Sequence, residues 1–408
     1  MSIVSDAPAQ DPGRRTGRHG PPFDTLALSP GIADTPPGHR RHPAPHRRLR
    51  RPVRKHPARV LASRPRAPHS GPMTPQPAQP ARAPRTEEEW QDLATRSREG
   101  LLRRLSREYG LLDEESPWYA AFASVPRHYF VPYYYVRAPT GGFERLWGED
   151  PDRERRARWL TGAYADVPLA TRLRDGELVS SSSQPSLMAR MLNGLDVRPG
   201  DRVLEVGAGT GWNAGLLCHR LGEDLVTTVD LDTDITESAR AHLARAGFRP
   251  EVGTGDGMRG WPARAPYDRV LITAAVHTVP RALLRQCAPG ALVVAPLATG
   301  LLALRVRDAE HAEGRFLATP AYFVPMRGAE RTPEPAPYLG GLPSWAARDE
   351  NFHFLLALTS GILDPHEALA LWRRERMPAR ERFGVTLRGT FLWAWLDDPD
   401  GPYAWALP

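Results

Sequence analysis

A glycine-rich loop between an apolar run and a helix-like segment constrains the fold more than any other feature of this 408-residue chain. The stretch VLEVGAGTGWNAGLL places Gly207, Gly209 and Gly211 directly after a run typical of a buried strand. Glycines at such a turn let the backbone approach a ligand and the following helix closely. The spacing differs from the G-x-G-x-x-G pattern of dinucleotide-binding loops, so the loop by itself does not identify its ligand.

Short apolar runs alternate with polar, helix-like segments from about residue 197 onward. The runs RVLEV, LVTTVD, RVLITAA and ALVVAPL have the composition of buried parallel strands. We therefore predict a doubly wound, Rossmann-like α/β sheet. An N-terminal helical segment precedes it, since TEEEW matches a capping box of Thr86 and Glu89. A small C-terminal α+β domain follows, with a helix near 364–376 and then strand-like GVTLRGTFLWAWL.

Three regions follow from composition. Residues 1–85 carry a net charge of +12 and eighteen prolines, which predicts a disordered leader. Residues 86–330 form the α/β domain, with its N-terminal helices and a substrate loop, and residues 331–408 form a C-terminal accessory domain. Arginine runs in the leader are compatible with nucleic-acid binding, but a GC-rich coding sequence explains them better. We therefore predict no nucleic-acid partner. Met73 offers a second start, which marks 1–72 as an over-extended gene start.

The composition also bounds the location of the chain. It holds two cysteines, Cys218 and Cys287, too few for a disulfide framework. No apolar run approaches the roughly 20 residues that a membrane span needs. The N-terminus lacks the apolar core of a signal peptide. We predict a cytoplasmic protein with no membrane partner and no metal site.

Acidic residues end three of the predicted strands. Glu205 lies just before the glycine loop, Asp230 ends LVTTVD, and Asp256 follows the next expected strand. Such strand ends meet at one sheet edge, where doubly wound folds bind ligands. Asp230 is suited to a ribose diol and Asp256 to an adenine amino group. The alternatives are ordinary surface acids or, for Asp230, charge complementing a helix N-terminus.

No lysine follows the loop to hold phosphates, which argues against an NTPase. A cationic nucleoside without phosphates fits these acids, so we predict S-adenosyl-L-methionine as the cofactor. The predicted cofactor-binding residues are Ser180, Glu205, Gly207, Gly209, Gly211, Asp230, Leu231, Asp256 and Gly257.

Several motifs in order resemble one enzyme family. SVPRHYFVP, AYADVPL, GDGMRGWPARAPYDRVLITAAVHTVP and YFVPM are similar to segments of the protein-L-isoaspartate O-methyltransferases, over about 125–326. The resemblance implies a class I methyltransferase fold. It also implies methyl transfer from S-adenosyl-L-methionine to an aspartyl or isoaspartyl carboxylate of a peptide or protein.

The resemblance gives a role to the four consecutive serines of residues 180–183, here called the serine run, and to the substrate loop that contains them. In the family, a serine followed by x-Pro contacts both ligands, and SQP places Ser183 at that position, ahead of a helix that begins near Pro185. Ser183 is therefore the predicted catalytic residue, and Ser182, Ser183 and Gln184 are the predicted substrate-binding residues. The alternative for Ser183 is a plain helix cap.

The chain departs from the family in a long aromatic and charged insertion, 133–162, and in a tryptophan-containing tail. These features resemble the subgroup that accompanies ATP-grasp enzymes in ribosomal peptide (graspetide) biosynthesis. That resemblance implies an aspartate in a macrocyclised precursor peptide as acceptor, with the ester lost to a succinimide (aspartimide). The alternatives are a repair methyltransferase and a non-catalytic cofactor- or peptide-binding module. An added aromatic domain at 331–408 predicts recognition of one dedicated peptide partner, although the tail tryptophans also fit simple core packing.

Because the leader lacks the apolar residues to add to a core, a chain that starts at Met73 should match the full chain in melting temperature and turnover. Thermal melts and methyl transfer by both chains check this. A clear loss of either property in the shorter chain would contradict it.

Overall fold

A computed structural model describes residues 83–138, 141–174, 177–327, 339 and 341–407. The predictions about the leader fall outside the described residues, apart from residues 83–85. The sheet and its flanking helices have the doubly wound α/β architecture that the sequence predicts.

The N-terminal helices begin as predicted. Helix α1 (Glu87–Arg103) starts at a capping box, in which Thr86 accepts from the Glu89 amide at 3.2 Å and Glu89 accepts from the Thr86 amide at 3.1 Å. Two short helices follow, α2 (Tyr119–Ser124) and α3 (Arg127–Phe130).

A four-stranded antiparallel sheet comes next, formed by β1 (Tyr133–Arg137), β2 (Phe143–Trp147), β3 (Leu169–Arg174) and β4 (Glu177–Ser182). Its strand order is β2-β1-β3-β4. The insertion thus folds into the β1–β2 hairpin and helix α4 (Arg153–Ala163). Ser180, Ser181 and Ser182 end β4, and Ser183 follows the strand. Helix α5 (Pro185–Leu195) then begins at the predicted proline and buries Met188, Met191, Leu192 and Leu195.

The central sheet has ten strands in the order β14-β13-β12-β11-β10-β9-β8-β5-β6-β7. Its parallel half contains β5 (Val203–Val206), β6 (Val226–Asp230), β7 (Glu251–Thr254) and β8 (Tyr267–Ile272). Strand β9 (Cys287–Leu297) pairs parallel to β8 and is the first strand of the antiparallel half. Helices α6 (Trp212–Leu221), α7 (Thr233–Arg245) and α8 (Arg281–Leu284) connect these strands. The four apolar runs identified in the sequence are β5, β6, β8 and part of β9.

The C-terminal residues continue this sheet rather than forming a sheet of their own. Strands β10 (Gly300–Val306) and β11 (His311–Pro320) lead to β12 (Phe383–Arg388), β13 (Phe391–Leu396) and β14 (Ala404–Ala406), with antiparallel pairing throughout. Helices α9 (Glu350–Leu358) and α10 (Pro365–Arg374) pack in the same apolar cluster as β8 and β9. The segment is α+β in composition, as predicted, but it shares a sheet and a core with the preceding domain.

No helix among the described residues is both long and apolar enough to cross a membrane.

The shared core leads to a stability prediction. Trp372 is 1% exposed and packs on Phe352 with ring centroids 5.3 Å apart, whereas Phe391 is 74% exposed. Trp372→Ala should lower the free energy of unfolding by about 3–5 kcal/mol, because it leaves a cavity, and Phe391→Ala should change it little. Denaturant unfolding measures both. A separate early transition in the Trp372 variant, with the rest intact, would instead indicate an independently folding C-terminal domain.

Candidate active site

The glycine loop is held by the neighbouring strand. The amides of Gly207 and Ala208 both donate to the Val229 carbonyl, at 2.8 and 3.0 Å, and the Gly209 amide donates to Asp230 Oδ2 at 3.2 Å. Gly207 has φ +105°, and a Cβ there would lie 2.5 Å from Thr273 Oγ1. A residue with a side chain at position 207 would therefore have a strained backbone and would clash with Thr273. Only glycine allows the loop to take this path.

The carboxyl ends of β5, β6 and β7 lie together at one edge of the sheet, because these strands are adjacent and parallel. This edge brings Gly207, Gly209, Asp230 and Asp256 together, as the sequence predicts. Asp256 accepts from the Met258 amide at 2.9 Å and keeps part of its carboxylate exposed. Gly257 follows it, and a Cβ there would clash with Val206. Leu231, at 41% exposed, stands beside the crevice.

Asp230 also has a partner that the sequence did not indicate. Arg327 Nη2 lies 3.3 Å from Asp230 Oδ1, and its Nη1 lies 3.6 Å from Asp232. The crevice therefore combines a glycine cradle with the carboxylates of Asp230 and Asp256, and the partly exposed Leu231 follows Asp230 in the chain. This donor and acceptor set fits a cationic nucleoside without phosphates.

Glu205 lies beneath the loop rather than in the crevice. It is 1% exposed, and its two oxygens accept hydrogen bonds from Asn213 Nδ2 at 2.7 Å and Thr228 Oγ1 at 2.6 Å. Burial raises the pKa of this carboxyl to about 7, although both hydrogen bonds oppose the shift. In this position Glu205 links β5, β6 and α6 and so supports the loop from below. Direct contact with the cofactor stays a prediction.

Strand β4 runs past the glycine loop. A Cβ on Gly209 would lie 3.5 Å from the Ser181 carbonyl oxygen and 4.0 Å from Ser180 Oγ. The β3–β4 hairpin is also tied to helix α7, since Arg174 contacts Asp232 at 2.9 Å. The serine run therefore lies between the predicted cofactor crevice and the start of α5.

The four serines point in different directions. Ser180 and Ser182 are buried, whereas Ser181 and Ser183 are partly exposed. The Ser182 hydroxyl accepts from Arg127, so it is occupied within the protein. The Ser183 hydroxyl has no hydrogen-bond partner among the described residues, which leaves it available at the N-terminus of α5.

A buried arginine holds this loop in place. Arg127 is fully buried and donates to the carbonyls of Ala163, Ala165 and Val167 at 3.1–3.3 Å. It also donates to the carbonyls of Ser182 and Ser183, at 3.3 and 2.9 Å. Its guanidinium lies 5.1 Å from the centre of the Trp212 ring. One side chain thus connects the end of the insertion to the residue predicted to be catalytic.

Asp166 fixes the start of α5 from outside the helix. Its carboxylate accepts from the Ser186 amide at 2.8 Å and from Gln184 Nε2 at 3.1 Å. The side-chain amide of Gln184 therefore already donates a hydrogen bond within the protein. This weakens the assignment of Gln184 as a substrate-binding residue. The sequence pattern did not indicate the roles of Arg127 and Asp166, although these residues lie in the family-like motifs SVPRHYFVP and AYADVPL.

Glu205 yields a pH prediction. The carboxyl keeps its proton up to about pH 7 when folded but loses it near pH 4.5 when unfolded. The stability that protonated Glu205 contributes is fully present below pH 4.5 and is lost as the pH rises towards 7. Glu205→Gln removes that loss, so the variant should gain about 3 kcal/mol relative to the wild type between pH 4 and pH 8. Unfolding of both proteins across this range tests it, and a pH-independent difference would refute it.

Comparisons with known proteins fit this geometry. The family model for protein-L-isoaspartate(D-aspartate) O-methyltransferase matches residues 152–330. A protein-L-isoaspartate O-methyltransferase of Methylorubrum populi is 40% identical over 174 residues, which cover 42% of this chain and 78% of that relative. The enzyme of that name from Methanoculleus marisnigri is 36% identical, over 50% of this chain and 79% of its own length.

A solved protein-L-isoaspartate O-methyltransferase structure shares the fold, with a TM-score of 0.50 at 23% identity. The alignment covers 74% of this chain and all of that one. The solved structure confirms the predicted fold class, and the curated relatives confirm the predicted family. The chain belongs to the protein-L-isoaspartate O-methyltransferase family and is an S-adenosylmethionine-dependent carboxyl O-methyltransferase.

Proposed function

We propose that this enzyme methylates an aspartyl or isoaspartyl carboxylate in a peptide, and that its native substrate is a ribosomally made precursor peptide in macrocyclised form. The observation that carries the site assignment is the position of Ser183. Its hydroxyl is available at the N-terminus of α5, in a loop that adjoins the glycine cradle.

The residues proposed to hold the cofactor are those at the sheet edge. Asp230 would accept from a ribose diol and Asp256 from an adenine amino group, with Gly207 and Gly209 allowing close approach of the backbone. Arg327 would have to share or release Asp230 when the diol binds. When bound, S-adenosylmethionine supplies an electrophilic methyl group.

The acceptor carboxylate needs no general base, because it is ionised near neutral pH. The protein has to orient it and exclude water. Ser183 Oγ–H would donate to one carboxylate oxygen and leave the other free to react. The N-terminus of α5 and the buried charge of Arg127 both favour binding of an anion beside Ser183.

The methyl ester is then set to react within the peptide itself. The following backbone nitrogen attacks the ester carbonyl, a C–N bond forms, and the C–O bond to the methoxy group breaks. The amide proton leaves with the methoxy group as methanol, and a succinimide remains. In a repair enzyme the same ring forms from an isoaspartyl ester.

Two features support a dedicated peptide rather than general repair. The insertion is built into a sheet beside Ser183, and the tail enlarges the core. The family model matches 152–330 and therefore excludes the β1–β2 hairpin and the tail. General repair remains the second candidate, since the relatives carry the repair enzyme's name. A cytoplasmic location is also proposed, supported by free Cys218 and Cys287.

Mass spectrometry after incubation with S-adenosylmethionine separates the two candidates. The proposal expects a macrocyclised aspartyl precursor to gain one methyl group and then to lose methanol, which leaves a species one water lighter than the starting peptide. Efficient turnover of generic isoaspartyl peptides, with no reaction of the precursor, would favour repair.

A matched pair of glycine variants tests the cofactor site. Gly209 and Gly247 both have positive φ, +51° and +89°, but Gly247 ends α7 with nothing near its Cβ position. Alanine at either position should cost about 1–2 kcal/mol of stability. Only Gly209→Ala should also weaken S-adenosylmethionine binding, measured by titration calorimetry. Equal affinities in the two variants would place the cofactor elsewhere.

A further inference from the structure

We propose that the exposed face of the four-stranded sheet binds an acidic residue of the peptide substrate, about four to five residues from the carboxylate that is methylated. The residues concerned are Tyr133, Tyr135, Arg145 and Trp147, here called the aromatic face. This inference rests on the proposed function, because it takes Ser183 as the point where the acceptor lies.

The aromatic face is continuous with the serine run. The strand register pairs Arg145 with Tyr135, Tyr135 with Ala170, and Ala170 with Ser181. Residues directly opposite each other on neighbouring strands point to the same side of a sheet. These four residues therefore form one row across the sheet, and Ser181 ends it two positions before Ser183.

The opposite face of the sheet is closed. Tyr134 is 2% exposed, and its hydroxyl donates to the carbonyls of Arg158 and Trp159 in helix α4. Leu146 is buried on the same side. The aromatic face, by contrast, is partly or fully exposed at each of its four residues. A peptide can therefore reach the row from one side only.

The charge on the aromatic face is positive. Arg145 lies over two rings, 5.4 Å from the centre of Tyr133 and 5.0 Å from that of Trp147, and it has no ion-pair partner among the described residues. The acid of β2, Glu144, belongs to the other face and pairs with Arg155 at 2.7 Å. An exposed guanidinium held between aromatic rings is pre-organised to bind a carboxylate.

Aromatic rings beside this cation favour a peptide. The Tyr133 and Tyr135 rings meet edge to face, with centroids 6.1 Å apart. They offer apolar area at low cost in side-chain entropy, as peptide-binding surfaces commonly do. The partner is therefore an acidic segment that also carries apolar side chains.

The row also sets a distance. Three steps between neighbouring strands span about 14 Å from Arg145 to Ser181, and an extended peptide covers about 3.3 Å per residue. Ser183 lies two residues beyond Ser181 along the chain, which lengthens the span to about 16 Å. A carboxylate paired with Arg145 would thus stand about four to five residues from the acceptor. This spacing distinguishes a specific contact from general attraction to positive charge.

Synthetic isoaspartyl peptides test the spacing with the full chain. One probe carries glutamate four and five residues before and after the isoaspartate, a second carries glutamine at those positions, and a third has its glutamates next to the isoaspartate. Binding is measured by fluorescence anisotropy of labelled probes, and methylation is measured separately. The variants are Arg145→Gln and, as a control with the same charge change on an exposed residue of the same insertion, Arg153→Gln.

The wild type should bind the first probe about threefold to fivefold more tightly than the other two, and less so in high salt. Arg145→Gln should abolish this preference and Arg153→Gln should keep it. Equal binding of the probes by the wild type would overturn the inference, as would a preference that survives in Arg145→Gln. Binding with the expected preference, together with no methylation of the macrocyclised precursor, would instead count against the proposed function alone.

Discussion

The site depends on the hydrogen bonds that the buried guanidinium of Arg127 donates. This guanidinium is a charged group without a carboxylate contact among the described residues, and it is surrounded by carbonyl oxygens from two separate segments, 163–167 and 182–183. Burial lowers its pKa to about 9, so it stays charged at neutral pH. A buried charge is tolerable only when its donors are satisfied, and here the two segments satisfy them together. Neither segment can move without leaving donors unpaired.

The rest of the site is arranged around that constraint. Asp166 lies in the first segment and caps α5, so the path of the chain after the insertion decides where Ser183 stands. The Trp212 ring under Arg127 begins α6, directly after Gly211. The glycine loop and the serine run are thereby connected through one buried contact. Glu205 supports the same loop from below, through Asn213 and Thr228.

Local features were predictable from sequence, and tertiary ones were not. The capping box at Thr86, the helix at Pro185 and the strand-end acids follow from nearby residues alone. The orientation of Glu205 was not predictable, because every residue of β5 is buried and a strand-end acid can face either way. The hairpin of β12 and β13 was recognisable from its pattern, but its pairing with β11 depends on a contact across more than sixty residues. The burial of Arg127 was not predictable, because an arginine in a short apolar stretch is usually exposed.

Arg127 holds the substrate loop in its reactive position, and hydrogen exchange of the Arg127→Lys variant tests this most directly. Lysine keeps the charge but provides three donors in place of a planar fork. Amides in 182–186 should exchange faster, and methyl transfer should slow, while the affinity for S-adenosylmethionine stays within about twofold of the wild type, a change smaller than a single neutral hydrogen bond produces. Unchanged amide exchange in 182–186, together with unchanged turnover, would show that Arg127 does not hold the substrate loop in place.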